Sequence, residues 1–124
     1  MKLSLFMFSL VFSGSVYSGT LQDEINHLLA YVEKTTCAFE RNGKHHSGKQ
    51  AVKHIKKKLN YYKDEINNTE KFIELSATKS MMSGQYYMIG CKGKNKIRSQ
   101  IWLLDELMKH RKLKNVSVPT KIKN

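Results

Sequence analysis

The sequence has no apolar run long enough to span a membrane, which takes roughly 20 residues in a helix. Its most apolar stretch, residues 3–12, is about half that length and follows a single positive charge at Lys2. Small and polar residues come next, with Val16 and Ser18 placed where a signal peptidase expects small side chains. Residues 1–18 therefore read as a cleaved signal peptide, which predicts an exported protein.

Motifs of hydrolytic and metal chemistry are also missing. There is no G-x-S-x-G segment for a serine hydrolase, and no H-x3-H or C-x2-C spacing for zinc. Zinc held by Cys37 with His45, His46 or His54 is disfavoured, because adjacent histidines are poor co-ligands. Most acidic residues fit ordinary helix surface rather than a catalytic pair. The sequence therefore predicts no enzyme, no metal site and no cofactor.

Cysteine is scarce, since only Cys37 and Cys91 occur. In an oxidising compartment an even count favours a disulfide between them. That bond would close a loop of about 55 residues, which the loop-entropy model values at roughly 4 kcal/mol. It also argues against Cys37 as a catalytic thiolate beside His46.

Acidic residues are outnumbered, with 10 Asp and Glu against 22 Lys and Arg and a formal charge of +12. Cleavage after Ser18 leaves 106 of the 124 residues and, because Lys2 is lost, lowers the charge to +11. In the cytosol this surplus would indicate nucleic acid. For an exported chain we instead expect the partner to be an acidic protein, an anionic envelope polymer or phospholipid headgroups. We expect no binding to nucleic acid and no insertion into a membrane.

Hydrophobic periodicity predicts a mostly helical α+β fold with about four helices and a short two-stranded antiparallel ribbon. One globular domain is expected over residues 19–113, and a loose basic tail over 114–124. Thr20 is the expected N-cap of a helix over residues 21–34, and Ser47 with Gln50 forms a capping box that opens a second helix.

Two later helices complete the prediction. Asn67 followed by Glu70 indicates the cap of a short third helix. The last helix is expected to have Trp102 nearby and to place four apolar residues on its inner face: Ile97, Ile101, Leu104 and Met108.

The segments "TTCAFER" and "QYYMIGC" have the composition and alternation of strands. Asn42-Gly43, within "RNG", favours a turn after the first strand, because both residue types accept positive φ. If the two strands pair antiparallel, Cys37 and Cys91 come close enough for the disulfide.

Basic side chains on two loops are the expected contacts with a partner, since turns can enter a cleft. The residues are Arg41, Lys44, His45, His46, Lys92, Lys94 and Lys96. A polar cluster around the "RNG" turn, with Asn42, His54 and Lys58, is expected to be mainly structural. The alternative, that Arg41, His46, His54 and Lys58 bind a ligand, stays open.

The strings "F-x-RNG-x-x-H" and "A-x-x-H-x-x-x-K-L" resemble those of the YfeK-like family of small exported bacterial proteins, over about residues 22–90. The resemblance implies a periplasmic location and no established catalytic activity. The last helix and the loop "KGKNK" match that family poorly. Matching positions include Glu24, Phe39, Arg41, Asn42, Gly43, His46, Ala51, His54, Lys58, Leu59, Phe72, Ile73, Ser80, Gly84 and Tyr87.

Size, signal peptide and charge are also similar to those of periplasmic immunity proteins that protect type VI secreting bacteria from a muramidase-bearing VgrG effector. This resemblance implies a protein that occludes the acidic cleft of a peptidoglycan hydrolase. The alternative function is a binding module for a small anionic ligand or an envelope polymer. A homodimer is left open as well.

Overall fold

The computed structural model describes the backbone of residues 20–117 and the side chains of residues 20–115. The expected signal peptide, residues 1–18, lies outside the described residues, as does the end of the expected tail. The elements are α1 (Leu21–Lys34), β1 (Ala38–Arg41), β2 (Lys44–His46), α2 (Gly48–Tyr62), a 3-10 turn (Lys63–Glu65), α3 (Thr69–Ser76), β3 (Met88–Gly90), β4 (Ile97–Arg98) and α4 (Ser99–Ser117). The predicted fold class, α+β with four helices, is confirmed.

Side-chain caps define where the first helices begin. Thr20 accepts a hydrogen bond from the backbone N–H of Asp23, and α1 then buries Ile25, Leu28 and Val32 at helical spacing. The capping box of α2 forms as predicted, with Ser47 and Gln50 each bonding the other's backbone.

The prediction for the start of α3 is wrong by one residue. Asn68, rather than Asn67, is the N-cap, and its side chain accepts a 2.7 Å hydrogen bond from the backbone N–H of Lys71. Either asparagine can cap a helix, but only Asn67 has a glutamate three residues later, so the local pattern favoured the wrong one. The helix buries Phe72 and Ile73.

The sheet contains more strands than the predicted ribbon. Its order is β2-β1-β3-β4 and all neighbours are antiparallel. The expected pairing of the two cysteine-flanked strands is confirmed as β1 with β3, and the Cys37–Cys91 disulfide is present beside it. The two additional strands arise because the chain reverses after β1 and again after β3. The returning segments, β2 and β4, pair with β1 and β3 respectively.

Helix α4 contradicts the predicted inner face. Its fully buried side chains are Ser99, Leu103 and Leu107, whereas Ile101 and Met108 are 53% and 66% exposed. Ile97 lies before the helix, in β4, and Leu104 is half-buried. The helix also continues to Ser117, so the start of the expected loose tail is helical.

One face of the sheet and the inner faces of the helices enclose a single apolar core. Phe39 and Ile89 are neighbours across β1 and β3 and are both buried. Trp102 closes the edge of this core, stacking on Tyr31 and meeting Phe39 edge to face. Within residues 20–117, no helix is long and apolar enough to cross a membrane.

Candidate functional site

The hairpin between β1 and β2 turns at Asn42 and Gly43, whose φ angles are 53° and 79°. Positive φ at both central residues is what a tight two-residue hairpin needs. The Asn42 amide donates to Ser80 Oγ at 3.3 Å and accepts a hydrogen bond from the Ser83 hydroxyl. The turn thus fastens the loop of residues 80–84.

Lys58 holds the same loop from the side of α2. Its Nζ donates to the backbone carbonyl of Lys79 at 2.7 Å and to the Tyr87 hydroxyl at 3.1 Å. The ammonium is therefore fixed in position rather than free in solvent, and this fits the structural role expected for Asn42 and Lys58.

Arg41, His46 and His54 lie between the sheet and α2. Arg41 and His46 are on the same face of the sheet as buried Phe39, because Phe39 pairs with His46 and Arg41 is two residues further along β1. The His46 and His54 rings meet edge to face, with centroids 5.3 Å apart. Arg41 Nε and His46 Nε2 are buried without a hydrogen-bond partner in the described part of the chain.

Burial and neighbouring charge keep both imidazoles neutral near pH 7. Burial lowers the pKa of His46 and of His54, and the positive charge of Arg41 lowers each pKa further. The fixed positive charge here therefore belongs to Arg41 and the lysines.

An open cavity of about 340 Å³, here called the Arg41 cavity, lies beside these residues. It is lined by Arg41, His54, Lys57, Lys58, Ser80, Met81, Met82 and Tyr87. A smaller cavity of about 30 Å³ shares Arg41, His54 and Tyr87 with it and is also lined by His46. The lining of the Arg41 cavity is basic and carries two thioethers.

The second predicted contact loop forms an exposed basic turn, here called the lysine turn (residues 92–94). Lys94 N–H closes it by donating to the carbonyl of Cys91 at 3.0 Å, so the turn starts directly at the disulfide. Lys92 and Lys94 are exposed, whereas Lys96 pairs with Glu40 at 2.7 Å.

The predicted contact residues do not form one surface. Because β1 and β3 are antiparallel, the turn after β1 and the turn after β3 lie at opposite ends of the sheet. Lys44 and His45 are exposed on β2, whereas Arg41 and His46 are half-buried. The cluster of Arg41, His46, His54 and Lys58, in contrast, is brought together.

Sequence reasoning missed five residues of the cavity: Lys57, Ser80, Met81, Met82 and Tyr87. The spacing of His54, Lys57 and Lys58 places all three on one side of a helix, a signal that was present. The other four lie in the irregular segment between α3 and β3, where no periodicity shows which way side chains point.

The arrangement can bind an anion but offers little for catalysis. Cys37 is held in the disulfide, so it supplies no thiolate. Among residues 20–115 no group of three or more His, Cys, Asp or Glu side chains is placed to hold a metal ion.

Comparison with known proteins identifies a family whose function is unknown. A family of unknown function, DUF5329, matches residues 19–111. The "Uncharacterized protein YfeK" of Salmonella typhimurium is 36% identical over 64 residues, which are 51% of this chain and 53% of that protein. The chain thus spans about half the length of this relative, and the resemblance to YfeK-like proteins is confirmed. No solved structure matches the chain significantly.

Proposed function

This chain belongs to the DUF5329 family of unknown function, and from its own surface we propose that it is a periplasmic protein that inhibits a cell-wall hydrolase. The proposed partner is a muramidase effector of a type VI secretion system, and this chain acts as the immunity protein. Inhibition requires that a basic part of the domain enters the acidic cleft of the enzyme and blocks access to peptidoglycan.

The lysine turn is the observation that carries this proposal. Lys92 and Lys94 are exposed and form no ion pair or hydrogen bond with any described side chain. Gly93, with a φ of 77°, lets the chain reverse sharply between them. The Cys37–Cys91 disulfide fixes the base of the turn, which reduces the backbone entropy that is lost when the turn docks.

Charge complementarity gives the physical reason for association. Glycoside hydrolysis depends on a pair of carboxyl groups beside the scissile bond, so a muramidase cleft is acidic. The formal charge of +11 that remains after cleavage attracts such a cleft over a distance and raises the association rate at low ionic strength. At physiological salt concentrations this attraction is largely screened between charges that are more than about 8–10 Å apart.

The test is peptidoglycan hydrolysis by a candidate muramidase effector of a type VI secretion system. Increasing amounts of the disulfide-bonded protein should abolish hydrolysis at about one inhibitor per enzyme, and the association rate should fall as salt is added. Undiminished hydrolysis at a large molar excess, with both proteins folded, would show that the proposal is wrong.

A charge-matched pair of double variants locates the contact. Replacing Lys92 and Lys94 by Gln should weaken inhibition by about 30-fold, which corresponds to roughly 2 kcal/mol for a central contact. Replacing Lys53 and Lys56 by Gln removes the same charge from the exposed face of α2 and should change inhibition by about threefold or less. Equal weakening by both pairs would mean that only net charge matters.

A further inference from the structure

The Arg41 cavity concentrates positive charge without a compensating carboxylate. Arg41, Lys57 and Lys58 all line it, and none of the described residues that line it is Asp or Glu. Glu40, the neighbour of Arg41 in sequence, is paired with Lys96 instead. Like charges held together in this way repel one another, and a bound anion removes that cost.

Arg41 is, among residues 20–115, the one Arg or Lys with a buried nitrogen that lacks a hydrogen-bond partner. Its Nε is buried and lacks an acceptor, and its guanidinium forms no ion pair or hydrogen bond with any residue in the range 20–115. Arg111, by comparison, is paired with both Glu24 and Glu70. A planar guanidinium with unused donors suits an oxyanion, which accepts two parallel hydrogen bonds.

The rest of the cavity is suited to a carbon-containing body attached to that anion. A volume of about 340 Å³ exceeds what a bare oxyanion fills and is at the lower end for small-molecule sites. Met81 and Met82 are 60% and 94% exposed at its rim, and thioether side chains adapt to apolar surfaces. Lys58 is held in place by the Lys79 carbonyl and the Tyr87 hydroxyl, so the site is partly formed in advance.

We propose that the Arg41 cavity is a binding site for a small organic phosphate or similar oxyanion. The anionic group pairs with the guanidinium of Arg41 and the ammonium groups of Lys57 and Lys58, and the organic part contacts Met81 and Met82. The site is distinct from the lysine turn, which lies at the other end of the sheet, and it does not depend on hydrolase inhibition.

Calorimetric titration of the disulfide-bonded protein with phenyl phosphate and with inorganic phosphate, at constant ionic strength, tests the site. We expect one saturable site for each probe and at least about fivefold tighter binding of phenyl phosphate, because its ring contacts the methionine rim. No saturable binding of either probe would overturn the proposal. Equal affinities would overturn the assignment of the rim.

Charge-matched variants identify the cations. Arg41→Gln and, separately, Lys57→Gln should each weaken phenyl phosphate binding by about tenfold or more. Lys57 is exposed, so its variant keeps the test valid if Arg41→Gln folds poorly. Lys56→Gln, on an adjacent residue that does not line the cavity, should leave affinity within about twofold. Equal weakening by Lys56→Gln and Lys57→Gln would overturn the proposal, because it would show unspecific attraction.

Discussion

Arg111 on α4 joins three helices through two carboxylates, and its removal is expected to destabilise the fold. Its Nε and Nη2 donate to Glu24 of α1 at 2.8 and 2.9 Å, and its Nη1 donates to Glu70 of α3 at 2.7 Å. Glu24 also accepts a hydrogen bond from the Thr69 hydroxyl, and its side chain is only 13% exposed. Arg111→Met keeps much of the packing volume but leaves the Glu24 carboxylate half-surrounded by protein without its cation.

The expected loss can be worked out from the carboxylate. The hydrogen bonds from Arg111 lower the pKa of Glu24 from 4.5 to about 2, although burial opposes this. That difference corresponds to roughly 3 kcal/mol in favour of the ionised form. Because Arg111 is 39% exposed, water screens part of the interaction. We therefore expect Arg111→Met to lower the free energy of unfolding by about 2 kcal/mol at pH 7.

Urea unfolding followed by far-ultraviolet circular dichroism, with the disulfide intact, measures this loss. Lys109→Met is the matched control, since Lys109 lies on the same helix and pairs with Asp105, and both side chains are 65% exposed. It should leave the free energy of unfolding nearly unchanged, because water screens an exposed pair. A loss of the same size in both variants would refute the reasoning.

The pH dependence gives an independent check with a defined sign. The pKa of Glu24 is lower in the folded than in the unfolded protein, so its contribution is complete above pH 4.5 and disappears as the pH falls toward about 2. Arg111 also lowers the pKa of Glu70 by hydrogen bonding, which adds to the same trend. The unfolding free energies of wild type and Arg111→Met should converge over this range. Parallel curves would contradict the assignment to Arg111.

Three further predictions concern the scaffold. Replacing Cys37 and Cys91 together by Ala should lower the free energy of unfolding, measured by urea unfolding, by about 4 kcal/mol. Thiol titration of the unfolded, unreduced wild type should find no free thiol. Gly48→Ala should lower the melting temperature, because a Cβ there would lie 2.1 Å from a carbonyl oxygen of α1. Leu103→Ala should cost about 3 kcal/mol and Ile101→Ala less than about 1 kcal/mol, since only Leu103 is buried; equal losses would contradict the observed face of α4.

Local signals predicted the elements that depend on neighbours in sequence. The bounds of α1, the capping box at Ser47 and the turn at Asn42-Gly43 each follow from hydrogen bonds and backbone preferences within about four residues. The disulfide followed from the count of cysteines and the expected oxidising compartment, because only one pairing is available.

Tertiary packing decided which face of α4 is buried. The sequence contains two overlapping apolar patterns there, and the one that begins at Ile97 has more apolar residues. The observed inner face includes Ser99, which is buried because its hydroxyl donates to the carbonyl of Ala77 at 2.8 Å. It also includes half-buried His110, which stacks on His27 of α1. A hydrogen bond to another element makes buried Ser99 acceptable inside, whereas His110 has only its ring contact, since its Nε2 is buried without a hydrogen-bond partner among the described residues. No local pattern reveals such long-range contacts.

The same distinction applies to the candidate sites. Composition determined the basic charge and the even number of cysteines. The motifs around the "RNG" turn predicted which polar residues cluster there. Only the antiparallel pairing of β1 with β3 placed the two basic loops at opposite ends of the sheet. Only the folded loop of residues 80–84 placed Met81 and Met82 in the lining of the same cavity as Arg41 and Lys57. The cavity is formed by segments that are far apart in the chain. Its lining therefore depends on long-range contacts, which cannot be predicted from local sequence patterns.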